Sequence, residues 1–199
     1  MSKTAKENKL LRVVFSPFIT SASTARKIAY IAIMTALSVA CNMFFEIKLG
    51  DVQFSFTFAV SALIGLLIGG GVGFVACFIG DLLGFLSNTG GFAYMPWIGL
   101  SSGMVALIAG SVFHLFPSKK TGTLYLKIAI VSILSFLICT VGINTVSLWA
   151  LYSQTDYFTY LITRLFVLGG IYNSILNYFL LFIIIPAIKR VLFFKNLNI

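Results

Sequence analysis

The sequence predicts an all-α membrane protein of six transmembrane helices with both termini cytoplasmic, and three observations carry that prediction. Hydrophobic residues make up 59% of the 199-residue chain and charged residues 10%, with a mean hydropathy of +1.03, far more apolar than a soluble domain. Several apolar runs reach the roughly 20 residues that a helix needs to cross the hydrocarbon core, while the alternating ~10-residue segments of an outer-membrane barrel are missing. The basic residues fall in short stretches between the apolar runs, as expected for charges that set membrane topology.

Taken in order, the apolar runs predict spans at 26–46, 55–69, 71–88, 96–116, 123–151 and 161–188. The second and third form one long apolar block, split here at "GGGVG", residues 69–73, where consecutive glycines supply the positive φ of a tight turn. Residues 1–25 read as a basic cytoplasmic segment, a solvated tail with "VVFSPF" as a surface-lying patch. Residues 26–190 read as the six-helix membrane domain, which the polar residues considered next make the expected substrate-binding part, and 191–199 as a short cytoplasmic tail. With the N-terminus inside, twelve of the fourteen basic residues lie on the cytoplasmic side and only Lys48 and Arg164 toward the other face. The net charge of +9 is therefore read as topology and not as a nucleic-acid surface. Cys41, Cys77 and Cys139 sit in apolar runs at wide, irregular spacing, which fits helix packing and no metal or disulfide framework.

Under this topology the polar side chains gather in the outer half of the bundle. Asn42 ends the first span, Asn144 lies in the outer part of the fifth, and Arg164, Asn173 and Asn177 follow one another along the sixth. A nine-residue separation puts Asn173 roughly 13 Å deeper than Arg164. The inner half is mostly Leu, Ile, Val, Ala and Gly. A polar cluster open on one side suits capture of a small solute, whereas a polar line across the membrane would suit a channel. Hydrogen-bond glue between helices is the competing reading of each asparagine. Arg164 has three readings: pairing a substrate carboxylate, pairing Asp156, or reaching the interface.

Two external segments look like binding loops. "FFEIKLGDVQFSF" alternates apolar and polar residues, as a hairpin or extended lid does. "SNTGGFAYMPW" offers Gly90 and Gly91 for mobility and Phe92, Tyr94 and Trp97 either for stacking on a flat ligand or as an aromatic belt. Pro96 suits the first turn of the next helix. Asp81 lies in an apolar run between Gly80 and Gly84, a spacing that admits a close neighbouring helix. Structural support of the external loops is its first reading and ligand contact its second.

On the first span, Ala32, Ala36 and Ala40 recur every four residues and form a smooth groove, for another helix of this chain or for a separate subunit. No GxxxxGK[ST] loop is present, so the chain carries no ATPase of its own, and no Ser, His and acid group or metal-ligand cluster suggests an enzyme. A solute binder without an engine needs partners.

The ordered combination of "ARKIAYIAIMTALSVA", "LIGGGVGFVACFIGDLLGFL" and "GGFAYMPWIGLSSGMVALIAG" resembles the substrate-binding S components of energy-coupling factor (ECF) vitamin transporters, most closely the folate type. The resemblance covers residues 25–190. It implies capture of a vitamin at the outer face of a bacterial cell membrane and association through Ala32, Ala36 and Ala40 with a transmembrane coupling subunit. Two ATPase subunits would complete the complex, hydrolysing ATP while this chain binds no cofactor. The expected substrate site comprises Asn42, Lys48, Tyr94, Trp97, Asn144, Arg164 and Asn173, with Asp81 as a structural polar residue. Folate is the favoured vitamin. Pantothenate, with one carboxylate, is the alternative for a site holding a single Arg164, and cobalamin stays open. An autonomous ion-coupled carrier is the alternative class.

Overall fold

The computed structural model describes residues 11, 13–44, 46–49, 52–87, 94–116 and 121–190. Its elements are α1 (Pro17–Thr20), α2 (Thr24–Phe44), β1 (Glu46–Leu49), β2 (Val52–Ser55), α3 (Thr57–Ile68), α4 (Gly70–Ser87), α5 (Pro96–Leu115), α6 (Thr121–Tyr152), α7 (Tyr157–Val167) and α8 (Gly170–Arg190). Five of them, α2, α4, α5, α6 and α8, are long and apolar enough to cross a membrane. The expected segment between the first two spans is a hairpin: β1 and β2 pair antiparallel, with Glu46 opposite Ser55 and Lys48 opposite Gln53.

The second expected span is shorter than predicted. At 12 residues, α3 extends only about 18 Å, so its ends lie within the protein and their free backbone groups need partners there. At the C-terminal end the partners come from three places. The Gly65 carbonyl accepts from the Gly69 amide at 3.1 Å, and the Leu66 carbonyl from His114 Nε2 at 2.9 Å. Ser16 serves the last two, with its hydroxyl 2.6 Å from the Leu67 carbonyl and its amide 3.1 Å from that of Ile68. Ser16 and Ile19 are fully buried. The segment around α1, expected as a solvated tail, is thus part of the bundle because it caps a helix that stops short.

The "GGGVG" turn is also simpler than expected. Only Gly69 has positive φ, 106°, and α4 restarts at once, so Gly70 and Gly73 are packing sites inside a helix. A Cβ on Gly65 would overlap the Ala106 backbone, one on Gly110 the Gly70 backbone, and one on Gly103 would lie 2.9 Å from the Phe74 carbonyl oxygen. These absent side chains let α3, α4 and α5 meet backbone to backbone. Against the outer side of α4, Gly80 accommodates Ser38 and Gly84 accommodates Asn42 of α2, as their spacing predicted.

The last two segments differ most from expectation. The fifth span is one continuous helical run, but Phe136–Thr145 within it has π geometry. The sixth span is broken: α7 closes in a π turn, Thr163–Val167, and Gly169, with φ of 80°, redirects the chain into α8. Arg164 and Asn173 are therefore on separate helices, and the expected 13 Å axial offset between them does not apply.

Candidate functional site

Every helix from α2 to α8, together with β2, contributes to one polar cavity of about 430 Å³. Its architecture begins with two amides on α8. Asn177 is fully buried; its Oδ1 accepts from the Ala59 amide at 3.0 Å, and its Nδ2 donates to the Ser55 carbonyl at 2.7 Å and the Asn173 carbonyl at 2.8 Å. Asn173 Oδ1 accepts from the Ser55 amide at 3.0 Å. These bonds answer the free Ala59 amide in the first turn of α3 and tie the base of the hairpin to α8. On the facing side, Asn42 Oδ1 accepts from the Thr57 hydroxyl at 3.1 Å while its Nδ2 donates to the Ser38 carbonyl at 3.1 Å.

The remaining wall carries the charges and the open valences. Asp81 of α4 lines the cavity and is 8% exposed. The Tyr94 hydroxyl donates to its Oδ2 at 3.2 Å, and the Tyr94 ring packs on Phe85 with centroids 5.2 Å apart. Burial together with the adjacent Asp81 charge pushes the Tyr94 phenol up to about 12, so it remains a hydrogen-bond donor across the physiological range. Asp81 thus anchors the segment before α5 through Tyr94 and is also one of the residues lining the cavity. Arg164 enters from α7 and donates to the Thr145 hydroxyl at 3.3 Å. Asp156, weighed as its partner, instead caps α7 by accepting from the Thr159 amide at 3.0 Å, a bond that holds its carboxyl below the ordinary range. Asn144, on the π segment, lines the cavity with a buried Oδ1 that has no hydrogen-bond partner.

Of the seven expected substrate residues, the structure thus gathers Asn42, Asn144, Arg164 and Asn173 around the cavity. Tyr94 and Trp97 are not among the residues lining it: the Tyr94 hydroxyl is bonded to Asp81, and Trp97 is 49% exposed on the first turn of α5. Lys48 is on β1, with its side chain outside the described residues, as are Gly90, Gly91 and Phe92 of the second loop. The cavity also recruits hydroxyls that were not singled out, notably Ser101, Ser102, Thr140, Tyr160 and Ser174. The adjacent pair Ser101–Ser102 in an apolar span was the legible signal. Asn177, seen in sequence only as part of a helical series, proves to be the central staple.

The alanine row lies elsewhere. Ala32, Ala36 and Ala40, with Val39, Met43 and Leu83, line an open apolar groove on the outside of α2. The side of α2 that packs within the bundle is the Ser38, Cys41 and Asn42 side, and Ala32 and Ala36 are exposed. Packing inside the chain therefore does not account for the row.

Beside the polar cavity, the apolar groove along α2 and the broken last span, likeness to known proteins decides the family. Residues 22–190 match the family described as ECF-type riboflavin transporter, S component. The chain belongs to this family. It is a multi-pass membrane transport subunit and not an enzyme. The fold is similar to the crystal structure of FolT bound with folic acid, at a TM-score of 0.60 and 23% identity, covering 79% of this chain and 93% of that one. No curated protein matches the chain.

Proposed function

We propose that this S component captures a pteridine-ring vitamin in the cavity lined by helices α2 to α8 and delivers it inward with a coupling subunit and two ATPase subunits, which hydrolyse the ATP. Six crossings with both termini cytoplasmic is the arrangement this reading takes, with α3 as the short second crossing and α7–α8 as the broken sixth. The observation that carries the ligand class is the composition of the cavity wall. It presents one carboxylate, one guanidinium, an unpartnered amide oxygen and several hydroxyls around about 430 Å³, within the roughly 300–1,000 Å³ of small-molecule sites. A fused pteridine ring carries alternating donors and acceptors on its edge, which Asp81, Asn144 and the serines complement.

Folate is the first reading, supported by the likeness to a folate-bound fold and by Arg164 as the partner of a ligand carboxylate. Riboflavin, built on a benzo-fused pteridine without any carboxylate, is the second. It is favoured by the family match and by the balance of one acid and one base among the described lining residues. Arg164→Met separates them. It lowers folate affinity at least about tenfold, the loss expected from one charge-assisted bond, and leaves riboflavin binding within about twofold. Calorimetric titration of the purified chain with folate, riboflavin, pantothenate and cobalamin measures both effects, and binding of neither pteridine vitamin sinks the proposal.

The groove lined by Ala32, Ala36 and Ala40 is the proposed docking face for the coupling subunit. Ala36→Trp fills that groove without entering the cavity, so it abolishes uptake in cells while vitamin binding by the purified chain persists. Parallel loss of both activities in a folded variant would count against docking there.

A further inference from the structure

The inner half of the bundle, apolar by composition, contains a seam of buried polar groups that the vitamin site does not use. Lys127, Ser132 and Ser135 of α6 and Tyr178 of α8 each have a buried side-chain polar atom without a hydrogen-bond partner. The three on α6 are 3%, 5% and 0% exposed. Lys127, Val131, Ser135 and Cys139 follow at four-residue steps, which places them along one stripe of the helix, and all four are buried. At the upper end the stripe meets the cavity floor. Cys139 directly precedes Thr140 on α6, Tyr178 follows Ser174 by one helical turn on α8, and Thr140 and Ser174 both line the cavity. At the lower end, Lys127 Nζ sits over the Phe113 ring at 5.7 Å. His114 turns its Nε2 to the Leu66 carbonyl and makes no hydrogen bond to Lys127.

We propose that the seam where α5, α6 and α8 meet holds a file of bound water molecules leading from the cavity floor toward Lys127. Four groups left unsatisfied would each cost about 1–3 kcal/mol, and an ammonium more, whereas immobilising a water costs about 0–2 kcal/mol. Only water matches the whole set. A single anion would answer Lys127 but not the hydroxyls about one and two helical turns away on α6 and the phenol on α8, an apolar molecule would answer none, and hydroxyls with an ammonium form no metal site. Water both donates and accepts, so it serves an ammonium, an alcohol and a phenol in succession. The number required is ordinary, since folded proteins bury about one water per 27 residues. The π geometry that begins at Phe136 lies where this file joins the cavity, consistent with the functional placement of such bulges.

The test requires no vitamin and so stands apart from the substrate assignment. Pulsed X-ray radiolysis of the purified chain in ¹⁸O-water labels buried side chains that touch bound water. Cys139 and Cys41 are equally buried thiols, 1% and 2% exposed, one in the seam and one in the α2 contact. Cys139 and Tyr178 are expected to label about tenfold faster than Cys41, and Ser135→Val, which fills the seam with methyl groups, removes that excess. Thermal melting of Ser135→Ala provides the second readout: a watered hydroxyl makes the variant melt lower, a dry one makes it melt higher. Equal labelling of the two cysteines, or a higher melting temperature for Ser135→Ala, overturns the proposal.

Discussion

The α2–α5 half and the α6–α8 half of this bundle are built on opposite principles. In the first, glycines bring backbones into contact, and the turn and ends of the short α3 are closed by named hydrogen bonds. In the second, the helices carry π segments, a break at Gly169, and five of the six buried polar atoms without partners among the described residues. The cavity lies where the two meet. A rigid wall facing a less satisfied one is a sound arrangement for a carrier, because pre-organised contacts fix the ligand while the other half retains alternatives of similar energy.

The sharpest way to break this contrast is a pair of glycine substitutions. Gly65→Ala places a methyl group against the Ala106 backbone, which has no rotamer by which to yield, so it is expected to cost about 3 kcal/mol or more. Gly142→Ala, whose nearest obstacle is the Leu137 carbonyl oxygen at 3.3 Å, should change stability by no more than about 1 kcal/mol. Melting curves in detergent that shift equally for both would erase the distinction between the halves.

A smaller effect is expected where the halves are tied together. Asn177→Leu leaves the Ala59 amide and Ser55 carbonyl unanswered, at about 2–4 kcal/mol for buried groups of this kind. It also frees the hairpin base, so vitamin affinity falls even in the fraction that remains folded. Stability loss with unchanged affinity would mean that the staple serves the fold alone.

The smallest effect is a pH dependence at the edge of the looser half. The Asp156 carboxyl is held below its ordinary value by the Thr159 amide, so its capping contribution is present at pH above the ordinary carboxylate range. It is lost as pH falls through the lowered value. Asp156→Asn keeps a capping oxygen and should flatten that acid limb while leaving neutral stability nearly unchanged. Amide exchange at Thr159 reports it, and an unchanged acid limb in the variant would remove the cap from the account.

Much of the fold was legible because hydropathy, charge and turn chemistry act locally. The spans at 26–46 and 96–116 are α2 and α5 to within two residues at each end, and the alternating segment 44–56 contains the hairpin. The alanine groove was legible for the same reason, since four-residue steps fix a helix face whatever surrounds it. Asn42, Asn144, Arg164 and Asn173 were legible as cavity residues because polar side chains in an apolar span demand polar company.

What eluded the sequence depended on distant partners. Nothing local distinguishes Ser16 in a tail from Ser16 as the cap of α3, or Asn177 from any other asparagine at helical spacing, because each role is defined by a carbonyl or amide dozens of residues away. The break in the last span was hidden for a related reason: Gly169 and Gly170 read as tolerable within a helix until packing selected the positive φ that only the first adopts. The sequence by itself determined which residues must enter the membrane and which must avoid lipid, since solvation is a property of each side chain. The tertiary structure alone decided which polar groups satisfy one another and which remain for a ligand, because hydrogen bonding is a property of pairs.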